Sequence, residues 1–333
     1  MPTASPDPHR RRWLGAAALA PLASLRPLSS RAAEAWPARP IRVVVPFAAG
    51  GATDILGRLL GKTMEPELGQ PVVIDNRIGA AGAIGASNVA RSPADGYSVL
   101  FGGVGTNVVL PMTQPALDYA PDRDFTAVGQ ICNIDYVLVV AAGSPDRTLA
   151  DLLKRAKASP RAVSYMSTGS MGPLHVSIEY LSQQAGAQMT HVPYKGESPA
   201  FADLIEGRLD VAVMTVPFTR PYIKDGKLRA LATISGQRSA AMPELPTVAE
   251  LGFPGYAVPI WNGLFVPTGT PAPAIARLSA AMLGAVRQPA IREQMVAMGV
   301  TPTGLTPQES VTFLAGERER WARMIRETGV LKN

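Results

Sequence analysis

Short hydrophobic runs alternate with segments of helical periodicity along the chain from residue 41 onward. Ile41–Val45 is mostly apolar and reads as a strand; apolar positions then recur at helical spacing from Ile55 to Met64, and Gly69 ends that helix. The alternation continues with a strand at Val72–Ile74, a helix at Ala83–Ala90 and a strand at Tyr97–Phe101. This rhythm predicts a parallel sheet with helices on both faces.

The same rhythm returns in the second part of the chain. Strands are predicted at Tyr136–Ala141, Val163–Met166, Val211–Met214, Leu228–Ala232 and Trp261–Val266, and helices at or after Thr148, Pro173–Ala185, Ser198, Thr247, Ile275–Val286, Ile291–Met298 and Pro307–Arg326. Thr148 with Asp151, and Thr306 with Glu309, have the spacing of capping boxes. We therefore expect two α/β units in series, followed by a strand and a helical tail. Two such units sharing a cleft at the carboxyl ends of their strands form a natural ligand site.

Composition excludes several classes of protein. The 333 residues are 47% hydrophobic and 17% charged, which argues against disorder. Cys132 is the single cysteine, so a disulfide framework and a thiolate metal cluster are excluded. With three histidines in all, none at metal-ligand spacing, we expect no metal and no cofactor.

Residues 1–35 have the features of an export signal. Arg10–Arg12 precede the apolar run Trp13–Ala23, which is shorter than the roughly 20 residues that span a bilayer. Ala33-Glu34-Ala35 fits the small-x-small cleavage rule, so we expect a periplasmic mature chain beginning at Trp36. The arginine pair before Trp13-Leu14 resembles a twin-arginine signal; an ordinary Sec signal is the alternative.

The net charge does not indicate a nucleic-acid partner. Five arginines and two acids fall within residues 1–35, so half of the formal charge of +6 belongs to that segment. No basic run interleaved with aromatic residues follows it.

Four glycine-, serine- or threonine-rich segments are interpreted as strand-end loops. They are Pro46–Asp54, Gly79–Gly85, Ser167–Pro173 and His191–Gly196. In the first, adjacent glycines and a following helix start suit an anion, although Thr53 or Asp54 capping a tight turn explains the pattern equally well. Lys195 in the last loop either meets an anion or faces water.

Known catalytic and cofactor motifs are missing from these loops. Neither a Gly-Lys-Ser/Thr P-loop nor a Gly-x-Ser-x-Gly nucleophile elbow is present, and Gly79-x-x-Gly82-x-x-Gly85 lacks the dinucleotide spacing. His175 lies near Ser167 and Ser170, but no acid completes a recognisable order. The loops therefore favour ligand binding over catalysis.

Eight motifs in order resemble the receptors of the tripartite tricarboxylate transporter family, the TctC or Bug receptors. They are Trp36-Pro37-x-x-Pro40-Ile41, Val45-Pro46-Phe47 with Gly50-Gly51-x-x-Asp54, Asp75-Asn76-Arg77-x-Gly79-Ala80-x-Gly82-x-x-Gly85, Pro93-x-Asp95-Gly96-Tyr97, His191–Gly196, Gly226–Leu231, Pro246-Thr247-Val248-x-Glu250 and Trp261-x-Gly263-Leu264-Phe265. The resemblance covers essentially the whole chain after residue 35. It implies a two-domain α/β periplasmic binding protein of Venus-flytrap type, each domain a mainly parallel sheet flanked by helices.

The resemblance also implies domain boundaries and ligand contacts. With crossings near Cys132–Tyr136 and Tyr256–Asn262, domain 1 would combine residues 36–135 with 259–333, and domain 2 would span 136–258. Carried over by position, the expected contacts are Phe47, Ala48, Ala49, Gly50, Gly51, Thr53, Gly79, Ala80, Ala81, Gly82, Ser167, Thr168, Gly169, Tyr194, Lys195, Gly196 and Thr215.

The expected function is capture of a small organic anion, a mono- or dicarboxylate, an acidic amino acid or an aromatic acid. A monomeric receptor would deliver it to the membrane subunits of a transporter, or alternatively present its closed form to a sensor kinase; a periplasmic α/β enzyme is a third hypothesis. One departure from the family pattern bears on the ligand, since Met171-Gly172 replaces a Gly-Ser pair. Met171 either lines the pocket and favours a more apolar ligand, or faces the core.

Overall fold

The structure is a computed structural model that describes residues 36–332 together with Met1. The predicted export signal therefore lies outside the described residues. The strands are β1 (Ile41–Val45), β2 (Val72–Asn76), β3 (Ser98–Gly103), β4 (Phe125–Ile134), β5 (Tyr136–Ala141), β6 (Ser164–Ser167), β7 (Thr190–Pro193), β8 (Ala212–Thr215), β9 (Leu228–Thr233), β10 (Ile260–Pro267) and β11 (Val300–Pro302).

The helices separate these strands much as the periodicity predicts. They are α1 (Ala52–Leu68), α2 (Ala83–Ala90), α3 (Leu110–Thr113), α4 (Pro121–Asp124), α5 (Leu149–Ala158), α6 (Pro173–Ala185), α7 (Glu197–Ile205), α8 (Val216–Lys224), α9 (Ala272–Arg287), α10 (Pro289–Ala297) and α11 (Pro307–Thr328). Within the described part of the chain, no helix combines the length and apolar character needed to cross a bilayer.

The larger sheet has six strands in the order β11-β4-β10-β3-β1-β2. Its β1 strand pairs in parallel with β2 and β3, so that Val43 lies between Ile74 and Val99. Strand β10 enters from the C-terminal part of the chain and pairs antiparallel with both β3 and β4, and β11 is antiparallel to β4. Because of these returning strands, the sheet is mixed rather than mainly parallel.

The remaining strands lie between residues 136 and 233. Strand β5 pairs antiparallel with β8 and β9, and β6 pairs in parallel with β7. A parallel bridge between Tyr165 and Val211 links these two groups. The α/β class is confirmed, while the antiparallel β5 strand departs from the mainly parallel arrangement expected here as well.

Two capping boxes fix the starts of long helices. The hydroxyl of Thr148 accepts from the Asp151 amide at α5, and Thr306 does the same with Glu309 at α11. Thr247 and Glu250 make the same reciprocal hydrogen bonds but close a turn, so the helix predicted there is absent.

The core joins the two groups of strands. One buried cluster contains Leu100 and Trp261 from the larger sheet together with Leu138 and Tyr165 from the smaller ones. A second lies between the larger sheet and helices α1, α9 and α10. The chain from Trp36 onward forms one compact unit.

Candidate functional site

The Phe47–Thr53 loop connects β1 to the start of α1. Gly50 has a φ of 81°, in the left-handed region that favours glycine, whereas Gly51 caps the helix with a φ of −76°. Of the two adjacent glycines, only Gly50 therefore uses the conformational freedom of glycine. Phe47 is 39% exposed, which leaves its ring available at the surface of the site.

A buried carboxylate holds this loop. Asp54, 2% exposed, accepts hydrogen bonds from the Gly50 amide and the Asn76 side chain, each at 2.9 Å, and pairs with Arg58. Burial alone raises the pKa of Asp54, but the hydrogen bonds from Arg58, Gly50 and Asn76 outweigh it and keep that pKa below its usual value. The Gly50 amide is thus committed to Asp54, and an anion would be met by the first-turn amides of α1.

The Gly79–Gly82 loop has an unusual backbone. Gly79, Ala80, Ala81 and Gly82 have φ values of 129°, 46°, 53° and 101° in succession. A Cβ built on Gly82 would lie 2.9 Å from Thr106 Cγ2 and 3.7 Å from the Phe47 ring, so only glycine fits. The loop therefore packs beside the Phe47–Thr53 loop and leads into α2.

The Ser167–Gly169 loop approaches from the smaller sheets. Ser167 is fully buried, and its hydroxyl donates to the Gly169 carbonyl at 2.9 Å. A Cβ built on Gly169 would lie 3.7 Å from Cβ of Ala81. The structure therefore brings together two predicted loops that are about ninety residues apart in the sequence.

The Tyr194–Gly196 segment borders the same loop. The Tyr194 amide donates to the Ser167 carbonyl at 2.9 Å, and the Tyr194 hydroxyl donates to Asp203 at 2.7 Å. Lys195 is exposed and makes no ion pair with another described residue. Its ammonium group can therefore approach an anion.

Thr215, at the end of β8, donates both its amide and its hydroxyl hydrogen to Glu197, a residue that the sequence analysis did not single out. The Glu197 carboxylate accepts from the Thr215 amide at 2.6 Å and from its hydroxyl at 3.0 Å. Burial raises the pKa of Glu197, partly offset by these hydrogen bonds. The Thr215 hydroxyl therefore has no hydrogen left to donate to a ligand. The sequence feature that could have identified Glu197 is its position directly after Gly196, at the end of a predicted loop.

The Met171 side chain is partly buried against the main core cluster, and its carbonyl accepts from Thr113 Oγ1 at 3.0 Å.

A cavity of about 890 Å³ lies elsewhere, between α8, residues 240–244 and α10, and none of the predicted site residues lines it. Among residues 36–332, no three side chains are grouped to hold a metal ion.

Solved structures share this architecture and define its class, the periplasmic binding proteins. The periplasmic binding protein BugD is 31% identical over 89% of this chain and 99% of its own, with a TM-score of 0.80. An R. palustris protein, Rpa4515, solved with adipate, is 34% identical over 88% of this chain and 98% of its own, with a TM-score of 0.83. MatC from Rhodopseudomonas palustris, solved with bound malate, is 31% identical over 87% of this chain and all of its own, with a TM-score of 0.79.

Sequence comparison identifies the family. A family model described as "Tripartite tricarboxylate transporter family receptor" matches residues 56–330, and BugT of Bordetella pertussis is 36% identical over 89% of this chain and 91% of its own. The chain belongs to the tripartite tricarboxylate transporter receptor family, whose members are periplasmic solute-binding receptors. The resemblance drawn from the motifs is confirmed, and so is the solute-receptor function that it implied.

Proposed function

We propose that this receptor binds a small carboxylate between the loops at Phe47–Thr53, Gly79–Gly82 and Ser167–Gly169, with Tyr194–Gly196 at the rim. The approach of Ala81 to Gly169 carries the proposal, because it joins loops from both groups of strands into one surface. Helices α1, α2 and α6 all begin next to these loops, and helix N-termini favour anions. Adipate and malate in the related structures support a ligand of this class.

The side chains around the loops suit an anion of low charge. Lys195 is the cation at the rim, and the partly buried carboxylate of Glu197 lies beyond it at Thr215. A polyanion would need more cations than this rim supplies. We therefore expect a mono- or dicarboxylate whose oxygens are met mainly by backbone amides and water. We expect Thr215 to border the ligand without donating its hydroxyl hydrogen to it, because that hydrogen is bonded to Glu197.

The ligand would be enclosed by movement of two bodies. Every strand of the larger sheet comes from residues 36–135 or 259–333, and every strand of the smaller sheets comes from 136–258. The two connections at Ile134–Tyr136 and before Ile260 would act as hinges. Closure requires that the ligand bind the closed form more tightly than the open form.

Delivery to the membrane subunits of a transporter is the role that family membership favours. The receptor would bind its ligand without transforming it. Export would use the Arg10-Arg11 signal of the twin-arginine type, with the mature chain beginning at Trp36.

Calorimetry with adipate and malate tests the proposed ligand class, with adipamide as the uncharged control. We expect micromolar affinity for a dicarboxylate and no binding of the diamide. Small-angle scattering should show a smaller radius of gyration when the dicarboxylate binds. Equal binding of adipamide, or no binding of any carboxylate in a panel that includes aromatic acids and acidic amino acids, would contradict the proposal.

A matched pair of lysine variants tests the location. Lys195→Gln removes the cation at the rim, and Lys224→Gln removes an exposed cation at the end of α8. We expect the first variant to weaken dicarboxylate binding about tenfold and the second to leave it unchanged. Equal affinities would place the ligand away from Lys195.

A further inference from the structure

Two imidazole rings are stacked directly behind the Ser167–Met171 loop. His175, in the first turn of α6, and His191, in β7, have ring centroids 3.9 Å apart and planes only 9° from parallel. They are the only histidines in the sequence after residue 35. Two imidazolium rings at this distance would repel each other strongly, so the stack excludes protonation of both rings at once.

His175 fixes the far end of the loop. Its Nδ1 accepts a hydrogen bond from the Met171 amide at 3.0 Å, which places the ring hydrogen on Nε2, 3.9 Å from the Glu179 carboxylate. Met171 has a φ of 62°, a left-handed conformation that a non-glycine residue adopts at a cost. The hydrogen bond to His175 therefore holds the chain in a conformation that it would otherwise leave.

His191 fixes the near end of the loop. Its Nε2 lies 2.7 Å from Ser167 Oγ, and the same oxygen contacts both the carbonyl and the amide of Gly169. The hydroxyl carries a single hydrogen; when that hydrogen is directed to the Gly169 carbonyl, the Nε2–H of His191 donates to the Ser167 oxygen. The ring thus determines the orientation of the hydroxyl that shapes the loop.

The groups that face the stack are Tyr165 and the Glu179 carboxylate, and burial opposes protonation of both rings. Tyr165 of β6 lies against both rings, with centroids at 5.2 Å from His191 and 6.3 Å from His175, and its hydroxyl donates to Glu179 of α6. That carboxylate is therefore engaged by tyrosine. Burial lowers the pKa of His175, and burial together with His175 lowers the pKa of His191 to about 4.

We propose that His175 and His191 are positioning residues, a neutral stacked pair that fixes both ends of the Ser167–Met171 loop in its ligand-binding conformation. The link to binding rests on the proposed function; the link to the loop does not. Neither ring needs to touch the ligand. Protonation of His175 at Nδ1 would remove the acceptor for the Met171 amide, and protonation of both rings would separate the stack.

Paired substitutions test the positioning role. His175→Asn keeps an acceptor near Nδ1 and His191→Gln keeps a donor near Nε2, whereas His175→Leu and His191→Leu remove them. Ser177→Ala, which deletes a buried hydrogen bond within α6 away from the loop, is the matched control. We expect each leucine variant to bind adipate about tenfold more weakly, and the two amide variants and the control to stay within about threefold of wild type.

A leucine variant that folds cooperatively and binds adipate like wild type would overturn the proposal. Loss of affinity in Ser177→Ala equal to that in the leucine variants would also overturn it, since it would reduce the histidines to general structural residues.

Measurements on the wild-type protein keep the test independent of variant folding and of ligand. Two imidazole signals should titrate in NMR spectra, both below the ordinary histidine range, and the Met171 amide should lose protection from hydrogen exchange as they do. Ordinary titration of both rings, or a Met171 amide that exchanges freely at neutral pH, would contradict the paired clamp even if no carboxylate binds. If the clamp is found and no carboxylate binds, the proposed function alone fails.

The pH profile of affinity supplies a second readout. We expect adipate binding to weaken below about pH 5 more steeply in wild type than in His191→Gln. Protonation of adipate itself is common to both proteins and cancels in the comparison. Superimposable profiles would show that the rings do not control the loop.

Discussion

Two loops that line the candidate site are held in opposite ways. The Phe47–Thr53 loop is anchored by a buried charge, because Asp54 accepts from Gly50 and pairs with Arg58. The Ser167–Met171 loop is anchored by the neutral rings of His175 and His191. The Asp54 carboxylate accepts these hydrogen bonds best when it is ionised, and Nδ1 of His175 accepts from the Met171 amide only when it is unprotonated, so the two loops should fail at different pH values.

The difference shows that one cleft can combine an anchor that resists a change of pH with an anchor that responds to it. The charged anchor is insensitive to pH across the neutral range, since hydrogen bonds hold the pKa of Asp54 below its usual value. The neutral anchor loses its required state at a higher pH. The larger-sheet side of the site is thus the more robust one, and the following predictions test that contrast.

Acidification should have the largest effect, and it should act through the histidines first. The pKa of His191 is lowered from 6.5 to about 4 in the folded protein. The unfolded chain therefore binds protons that the folded protein excludes, so the free energy of unfolding falls as pH drops from about 6.5 to about 4. The loss approaches 3 kcal/mol, on the order of 1.36 kcal/mol per pH unit.

Urea denaturation of wild type and His191→Gln between about pH 7 and about pH 4 measures this effect. Carboxylates contribute equally to both proteins and cancel in the difference. The variant should show the shallower decline, and parallel curves would contradict the neutral anchor.

Removing the charged anchor should cost somewhat less. Asp54→Ala leaves the Gly50 amide without its acceptor and removes one of the two acceptors of the Asn76 side-chain amide, which keeps the Phe47 carbonyl. We expect the free energy of unfolding to fall by about 2–3 kcal/mol. Arg58 is 53% exposed, so water rehydrates its charge and limits the loss. Chemical denaturation at neutral pH is the measurement.

The matched control is Asp118→Ala, which breaks an exposed ion pair with Arg91. Its expected cost is about 0.5 kcal/mol or less. Similar losses in the two variants would show that Asp54 is not an anchor.

Substitution at Gly50 should separate strain from function. Gly50→Ala has open space for its Cβ but forces φ near 81°, at a cost of about 1–2 kcal/mol. Gly226→Ala meets the same open space at a φ of 68°, away from the site. Both should lose similar stability, while only the Gly50 variant should also weaken binding in calorimetry. Equal affinities would mean that the Gly50 turn is purely structural.

Much of the fold was predictable because its signals are local. The crossover from β1 through α1 to β2 and the capping box at Thr148 follow from periodicity and spacing. Strand β4 was missed because nearly all of its residues are buried on both faces, which removes the alternation that marks a strand. Helix α8 was missed because Pro221 interrupts its helical pattern.

The candidate site was predictable as a set of glycine-rich strand ends, but not as a network. Asp54 was visible as a helix-start residue, yet its contact with Asn76 depends on the pairing of β1 with β2. The stack of His175 on His191 joins residues from a helix and a strand that no sequence spacing relates. The hold of Glu197 on Thr215 likewise arises only once α7 packs against β8.

The smallest expected effect concerns strain stored in the Gly79–Gly82 loop. Ala80 is exposed and has a φ of 46°, where its Cβ is disfavoured. Ala80→Gly should therefore stabilise the protein, by up to about 1 kcal/mol after the larger entropy of unfolded glycine is subtracted. Ala276→Gly, at an exposed position within α9, should instead destabilise it by about 1 kcal/mol. Thermal denaturation measures both changes in stability. A gain in Ala80→Gly with a loss in Ala276→Gly would locate the strain in the loop, and a loss of stability in both variants would show that Ala80 is not strained.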